Sequence, residues 1–289
     1  MEKLIAAIVF VLAAPFVGGL LAGVDRVLTA KMQNRVGPPI LQPFYDVLKL
    51  LSKESMRVNR TQNFYVFCFM VLIILTGAIF FAGFDLLLFL FALTLASVFL
   101  IIAGFSVPSP YSHVGTEREM LQVLAYEPML IIAIIGMYQV AQTFSVGEIA
   151  LSPKVPMILY LPGIFVGFLF VLTIKLRKSP FDLSTSHHAH QELVKGITTE
   201  FSGPTLAMIE VAHWYENVFL LGFVYLFFGW NPIVGAVAVA LVYLFEIFLD
   251  NAEARVKWQL TVFSSWLVAI VLGFGNVAVL YVLKLLKVI

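Results

Sequence analysis

Residues 85–105, DLLLFLFALTLASVFLIIAGF, decide the fold class of this chain. After Asp85 the stretch runs for 20 residues without a charged side chain. A helix of about 20 apolar residues is long enough to cross the hydrocarbon core of a bilayer. The stretch therefore predicts a transmembrane helix, and other segments of similar composition are expected to pack beside it.

The composition of the whole chain supports a membrane protein. The 289 residues have a mean hydropathy of +0.98, and only 12% of them are charged, whereas soluble domains carry about 25% charged residues. The single cysteine, Cys68, provides neither a disulfide framework nor the ligands of an iron–sulfur cluster within this chain. The sequence contains no GxGxxG or P-loop motif, so no nucleotide site is expected. No nucleic-acid partner is expected for this membrane protein.

Eight apolar segments predict an all-α, polytopic membrane protein with about eight transmembrane helices. We interpret the first segment as a retained span, because its apolar run is too long for a secretory signal peptide. No soluble domain is apparent, so residues 1–289 are predicted to form one integral membrane domain. The predicted spans are residues 3–24, 64–83, 85–105, 119–142, 157–176, 206–228, 233–250 and 260–284.

The distribution of lysine and arginine predicts the orientation. The loops after the first, third, fifth and seventh predicted spans hold fourteen of the eighteen basic residues. Basic loops stay in the cytoplasm, so the large loops are expected there and both termini outside. Within the first loop, residues 41–55 (LQPFYDVLKLLSKES) carry apolar side chains at helical spacing after Pro43. This pattern predicts an amphipathic helix at the cytoplasmic membrane surface.

Four glutamates fall inside predicted spans, namely Glu127, Glu210, Glu216 and Glu246. An ionised side chain at mid-bilayer costs about 2.5–3.5 kcal/mol, so these groups must pair, take up protons or line a wet cavity. His213 shares one helix face with Glu210 and Glu216, and Asp250 follows Glu246 by one turn. We predict that these six residues form a proton pathway. The structural alternative is a set of acids that are hydrogen-bonded between helices or lie at the membrane interface.

Residues 178–203, KSPFDLSTSHHAHQELVKGITTEFSG, form an unusually polar segment between two apolar runs. Three interpretations compete: a catalytic or metal site, a docking surface for a soluble partner, and an ordinary solvated loop. His187, His190 and Glu192 are plausible metal ligands, but the sequence offers no matching Cys/His pair elsewhere. Histidines titrate near neutrality and can also relay protons across an interface.

Several motifs resemble those of the complex I H-subunit family, whose members are membrane subunits of NADH–quinone oxidoreductase. "AYEP" around Glu127, "SPFDL" (179–183), "ELVKG" (192–196) and "EFSG" (200–203) resemble blocks of that family in order. The first loop matches the pattern N-R-x-G-P, L-Q-P, D-x-x-K-L and K-E. The matching residues there are Asn34, Arg35, Gly37, Pro38, Leu41, Gln42, Pro43, Asp46, Lys49, Leu50, Lys53 and Glu54.

Two departures narrow the resemblance to one branch of that family. "STSHHAHQ" (184–191) replaces a short acidic segment, and the loop before the fourth span reads "SPYSHVGTEREM" (109–120). Both variants resemble membrane-bound group 4 [NiFe] hydrogenases, such as energy-converting hydrogenase and formate hydrogenlyase. In that branch the subunit is not expected to pass electrons to quinone.

The resemblance implies a membrane-anchor and coupling subunit in the cytoplasmic membrane of a prokaryote, not catalytic by itself. Its implied partners are the [NiFe] large subunit, the iron–sulfur small subunit, antiporter-like membrane subunits and the lipid bilayer. The [NiFe] centre and iron–sulfur clusters are expected in those partners, with no cofactor or metal in this chain. The subunit would link electron transfer in the hydrophilic arm to translocation of protons or Na⁺. The residues expected to dock the arm are Arg35, Gly37, Pro38, Gln42, Pro43, Asp46, Lys49, Glu117, Arg118, Glu119, Asp182, His187, His188, His190, Glu192 and Glu200.

Three alternative functions remain open from the sequence. The chain could be the quinone-binding H-type subunit of an NADH–quinone oxidoreductase or the corresponding subunit of a sulfane-sulfur reductase. A free-standing ion transporter would show inverted repeats with discontinuous helices. No such repeat is apparent, although Pro128 and Pro162 are expected to break the fourth and fifth helices.

Overall fold

Helices account for almost all of the computed structural model, which describes residues 2–55, 59–150, 156–181, 184 and 196–286. The predicted all-α membrane class is confirmed. The helices are α1 (Glu2–Met32), α2 (Gln42–Leu51), α3 (Arg60–Phe81), α4 (Leu86–Phe105), α5 (Pro110–Ala141), α6 (Val146–Ala150), α7 (Met157–Tyr160), α8 (Pro162–Lys175), α9 (Gly203–Leu226), α10 (Pro232–Ala252), α11 (Trp258–Val268) and α12 (Gly275–Leu285). A 3₁₀ turn covers Gly196–Thr198, and a π-helical segment, Ala269–Phe274, makes α11 and α12 continuous.

Within the described residues, six helices are long and apolar enough to cross a membrane. They are α1, α3, α4, α5, α10 and the continuous α11–α12. The predicted count of eight is therefore not confirmed. The other two predicted spans correspond to α9, which carries several polar side chains, and to α7 with the shorter α8. Pro162 separates α7 from α8, as predicted.

Two helices are longer than the sequence predicts. The first continues to Met32, and α5 begins at Pro110, nine residues before its predicted start. The 32 residues of α5 span about 48 Å at 1.5 Å per residue, whereas the hydrocarbon core is about 30 Å thick. Both helices therefore extend into the polar end of the bundle, where α2 lies. Pro128 does not break α5, which continues through it.

The centre of the bundle is an aromatic cluster between α4, α8 and α9. The Phe168 and Phe223 rings stack with centroids 4.7 Å apart, and Phe89 meets Phe219 edge-on at 5.4 Å. All four side chains are fully buried. Such ring pairs contribute about 0.5–1.5 kcal/mol beyond their buried area, so this cluster fixes the middle and far half of α9.

The first helix packs closely against α9 because Gly18 lies directly on the backbone of Trp214. A methyl group at Gly18 would collide with the Trp214 carbonyl oxygen, which belongs to the backbone and cannot rotate away. Small residues at helix contacts of this kind allow the dispersion contacts that hold membrane helices together.

At the end of the bundle opposite α2, the loops after α3 and α5 are tied together. The Leu86 amide donates to the Phe144 carbonyl, and the Val146 amide donates to the Phe84 carbonyl, both at 2.9 Å. The Asp85 carboxylate accepts the Leu87 amide at 2.7 Å and so caps α4. The charge that interrupts two apolar runs in the sequence therefore has a capping role.

We expect Gly18→Ala to weaken the α1–α9 contact and lower the free energy of unfolding by about 1–3 kcal/mol, the usual range for overpacking. The measurement is the midpoint of unfolding in a detergent titration. Gly275→Ala is the matched control, because a methyl group there meets nothing within 4 Å. Equal midpoints for the two variants would contradict the proposed close contact.

Candidate functional site

Three cations at the end of α8 organise a buried charged cluster. Lys175 is the last residue of α8, and Arg177 and Lys178 follow after Leu176. Each cation pairs with carboxylates on other helices. We call this group the charged cluster; it consists of Lys175, Arg177, Lys178, Asp25, Glu119, Glu216 and Asp250.

The deepest pair joins Lys175 to Glu216 on α9. The Lys175 Nζ lies 2.9 Å from Glu216 Oε1, and both side chains are almost completely buried, with exposed fractions of 6% and 5%. The same ammonium lies 4.4 Å from the centroid of the Tyr126 ring on α5. A buried cation is retained only when it is paired in this way, because desolvation otherwise outweighs its attraction to neighbours.

Arg177 connects α5 to α9. Its guanidinium donates to Glu119 Oε1 at 3.1 Å and makes a short hydrogen bond with the His213 ring. Burial alone would lower the pKa of Arg177. The neighbouring carboxylates of Glu119 and Glu216 raise this pKa by a larger amount, so the net shift is upward. The guanidinium therefore stays charged and serves as a fixed positive centre beside His213.

Lys178 connects the outer helices α1 and α10. Its Nζ lies 2.6 Å from Asp25 Oδ2 and 3.5 Å from Asp250 Oδ2. The Ser179 amide donates to the other Asp250 oxygen at 2.8 Å. One ammonium is therefore shared by two carboxylates, each of which is about a quarter exposed.

Glu246 lies one turn before Asp250 on α10 and differs from the acids of the charged cluster. Its exposed fraction is 0%, and Thr173 on α8 is a polar neighbour, but neither carboxylate oxygen makes a well-formed hydrogen bond among the described residues. An ionised group without partners in such a place costs several kcal/mol. This position therefore favours the protonated carboxyl group.

Polar side chains also form hydrogen bonds between α4 and α5, and we call this set the polar seam. The Thr94 hydroxyl donates to Glu127 Oε1 at 2.8 Å, and the Ser97 hydroxyl lies 3.2 Å from the Tyr126 hydroxyl. Tyr126 contacts Lys175 through its ring, so the seam adjoins the charged cluster. Of the predicted pathway, the structure gathers His213, Glu216 and Asp250 at the cluster and places Glu127 beside it.

The predicted amphipathic helix is present as α2, with Pro43 buried in its first turn. Gln42 donates to Asp46 Oδ1 at 2.9 Å, and Arg26 of α1 contacts Asp46 Oδ2 at 2.5 Å. Partial burial raises the pKa of Asp46, but the bonds from Arg26 and Gln42 lower it more, so the net shift is downward. Glu210 is half-buried and lines a cavity beside α2, apart from the charged cluster.

The described residues among those predicted to dock a soluble arm come from several segments of the chain. Arg35, Gly37 and Pro38 lie between α1 and α2, while Glu117 and Arg118 are exposed on the first turns of α5. Glu119 belongs to the charged cluster, whereas Lys49 is exposed on α2 and Glu200 is half-buried after the 3₁₀ turn. Five of the predicted residues lie outside the described part of the chain: Asp182, His187, His188, His190 and Glu192.

No metal site is found within the described ranges, where no group of three His, Cys, Asp or Glu side chains could hold an ion.

Lys175, Arg177 and Lys178 were not predicted as site residues, because the sequence pattern assigns them to a loop. One sequence feature could have predicted them: three cations occur at the end of an apolar helix, in a chain with several membrane-embedded acids. Buried acids require buried partners.

Comparisons with known proteins give consistent matches over most of the chain. A family model described as NADH dehydrogenase matches residues 4–281. The chain is 28% identical to formate hydrogenlyase subunit 4 of Escherichia coli (strain K12), with 94% of each chain covered. It is 32% identical to the H subunit of NADH-quinone oxidoreductase from Aquifex aeolicus (strain VF5), over 77% of this chain and 75% of the relative.

A solved structure also resembles this chain. A chain of an archaeal membrane-bound sulfane sulfur reductase superposes with a TM-score of 0.83, covering 96% of this chain and 100% of that chain. The two sequences are 24% identical, so the match supports the fold alone.

We expect Lys175→Met to lower the free energy of unfolding by about 3–5 kcal/mol, because it leaves the Glu216 carboxylate buried without its partner. The double variant Lys175→Met with Glu216→Leu should recover most of that loss, since both buried charges are then removed. Detergent unfolding of the single and double variants measures the difference. If the double variant is as unstable as the sum of the two single variants, the pair is not coupled.

Proposed function

We propose, since the chain belongs to the NADH dehydrogenase family, that it is the coupling subunit of a membrane-bound [NiFe] hydrogenase complex. The resemblance to the H subunit of complex I is confirmed, and the chain is a membrane subunit of the complex I-like and hydrogenase type. The observation that carries the proposal is the charged cluster with the unpartnered Glu246 beside it.

In this proposal the paired and unpartnered acids have different tasks. The ion pairs of the charged cluster hold fixed charges at the α2 end of the bundle, where the hydrophilic arm would dock. Electron transfer in the arm changes the local electric field, and Lys178 can then favour Asp25 or Asp250. Such a shift changes the field one turn away at Glu246, which takes up or releases a proton.

The proton pathway would continue through His213 and Glu216 toward Glu127, with antiporter-like membrane subunits beyond this chain. Docking of the arm is assigned to the predicted residues around α2, the first turns of α5 and residues 182–200. The [NiFe] centre and the iron–sulfur clusters would belong to the partner subunits. We place the complex in the cytoplasmic membrane of a prokaryote, with the α2 end facing the cytoplasm.

The sequence favours the hydrogenase over a quinone-reducing complex. Residues 184–191 lack the acidic segment of quinone-reducing members, and a formate hydrogenlyase subunit is among the relatives that match most of the chain. The NADH-quinone oxidoreductase relative has a slightly higher sequence identity to this chain over a shorter range. It supports a quinone-binding subunit as the second candidate function. A sulfane-sulfur reductase subunit would share the same fold and coupling residues.

A tagged copy of this chain, expressed in its native host, should co-purify a soluble nickel-containing protein, with hydrogen evolved from a low-potential donor. The expected result follows because the docked arm would hold the [NiFe] centre. Metal analysis and a hydrogen assay of the purified complex provide the measurement. Co-purification of flavin-containing NADH modules with quinone reduction would assign the chain to the second candidate.

We expect Glu246→Gln to lower the number of protons translocated per electron transferred by at least tenfold. The glutamine keeps the shape of the side chain but cannot carry a proton. The measurement is acidification in proteoliposomes, and electron transfer is assayed separately in the presence of a protonophore. That second rate should stay near the wild-type value.

The matched control is Glu253→Gln on the same helix, because Glu253 is exposed at the end of α10. It should leave both measurements unchanged. Normal proton translocation by Glu246→Gln would remove this residue from the pathway, whatever the identity of the arm.

A further inference from the structure

The α2 end of the bundle contains a cavity to which the proposed coupling function assigns no ligand. It lies between α2, the last turns of α1 and the first turns of α9, and its volume is about 290 Å³. Phe44 fastens α2 beside it, because its ring lies against Gly19 and meets the Trp214 ring edge-on at 5.2 Å. The cavity therefore lies at the depth of an interfacial helix, where lipid headgroups are found.

The lining of the cavity is amphiphilic. Apolar side chains cover one part, and charged side chains cover the other, with three cations against two carboxylates. The apolar part consists of Ala22, Pro43, Val47, Leu50, Leu206 and Trp214; the charged part consists of Arg26, Lys49, Lys53, Asp46 and Glu210.

The two lysines supply the charge that is available to a ligand. Arg26 is already paired with Asp46. No ion pair within the described ranges includes Lys49 or Lys53, and both side chains are exposed at the rim. Lys49 lies in the last turn of α2, and Lys53 follows the end of that helix. Both side chains line the same cavity, so both ammonium groups can reach an anionic group bound there.

An apolar surface leads from this cavity toward the membrane. Phe16 is 65% exposed, and its ring stacks on Phe44 with centroids 6.5 Å apart. Val17 and Leu20, on the neighbouring turns of α1, are also exposed. The ligand that fits therefore has an anionic head and an apolar tail.

We propose that this cavity binds the phosphate headgroup of an anionic membrane phospholipid. The phosphate lies between the Lys49 and Lys53 ammonium groups, and the acyl chains lie along Phe16 and Leu20. The volume lies just below the range for small-molecule sites, about 300–1,000 Å³, which suits a headgroup with its chains outside. Basic pockets between helices at this membrane depth recognise lipid headgroups in the same way.

The test uses the intact purified complex, stripped of lipid and titrated with short-chain phosphatidylglycerol while native mass spectrometry counts the bound lipid. Lys49→Gln with Lys53→Gln should weaken binding about 30-fold, since each basic residue near an anionic headgroup contributes about fivefold. Lys49→Arg with Lys53→Arg keeps both charges and should bind within a few-fold of wild type. Lys31→Gln removes an exposed cation that does not line the cavity and should have no effect.

Lys53→Gln alone, which should weaken binding about fivefold, serves if the double variant does not assemble. Unchanged lipid affinity in the glutamine variants would overturn the proposal. Inorganic phosphate that competes as strongly as the lipid would also overturn it, because the apolar surface would then contribute nothing. Displacement of the lipid by a short-chain quinone, with equal quinone affinity in wild type and glutamine variants, would assign the cavity to a neutral ligand instead.

Discussion

The pairing of three buried cations with carboxylates from four helices is the constraint on which the polar end of this protein depends. Lys175, Arg177 and Lys178 occur within four residues, yet their partners come from α1, α5, α9 and α10. Removing Glu216 or Glu119 would leave a buried cation without its carboxylate, which costs several kcal/mol. These pairs therefore require α1, α5, α9 and α10 to meet around the end of α8. Each cation determines which of these helices lies beside it.

The same constraint distinguishes buried acids that are held in ion pairs from a buried acid that is not. Glu216 is buried with the Lys175 ammonium at 2.9 Å, so an ion pair holds its carboxylate in place. Glu246 is buried to the same degree without such a partner. In the proposed coupling, Lys178 shifts between Asp25 and Asp250, and Asp250 lies one turn after Glu246 on α10.

The sequence predicts the apolar helices and α2 well, since both depend on local composition and periodicity. Pro43 and the apolar spacing after it are sufficient to place α2. The start of α5 was predicted too late because its first turns are polar and are held by tertiary contacts, such as Gly115 against Ile197. The charged cluster could not be predicted from local pattern, because Lys178 and Asp25 are 153 residues apart. The position of Lys178 in a predicted loop suggests a solvent-exposed cation, although the fold buries its side chain.

One helix connects every feature of the polar end to the rigid centre. Successive turns of α9 present Glu210 and Trp214 to the cavity, His213 and Glu216 to the charged cluster, and Phe219 to the aromatic cluster. The aromatic cluster is fully buried and tightly stacked, so the far half of α9 has little freedom to move. A change at the polar end is therefore absorbed within the first turns of α9 and the charges beside them. Under this constraint, a shift in ion pairing can alter the field at Glu246 without a rearrangement of the transmembrane bundle.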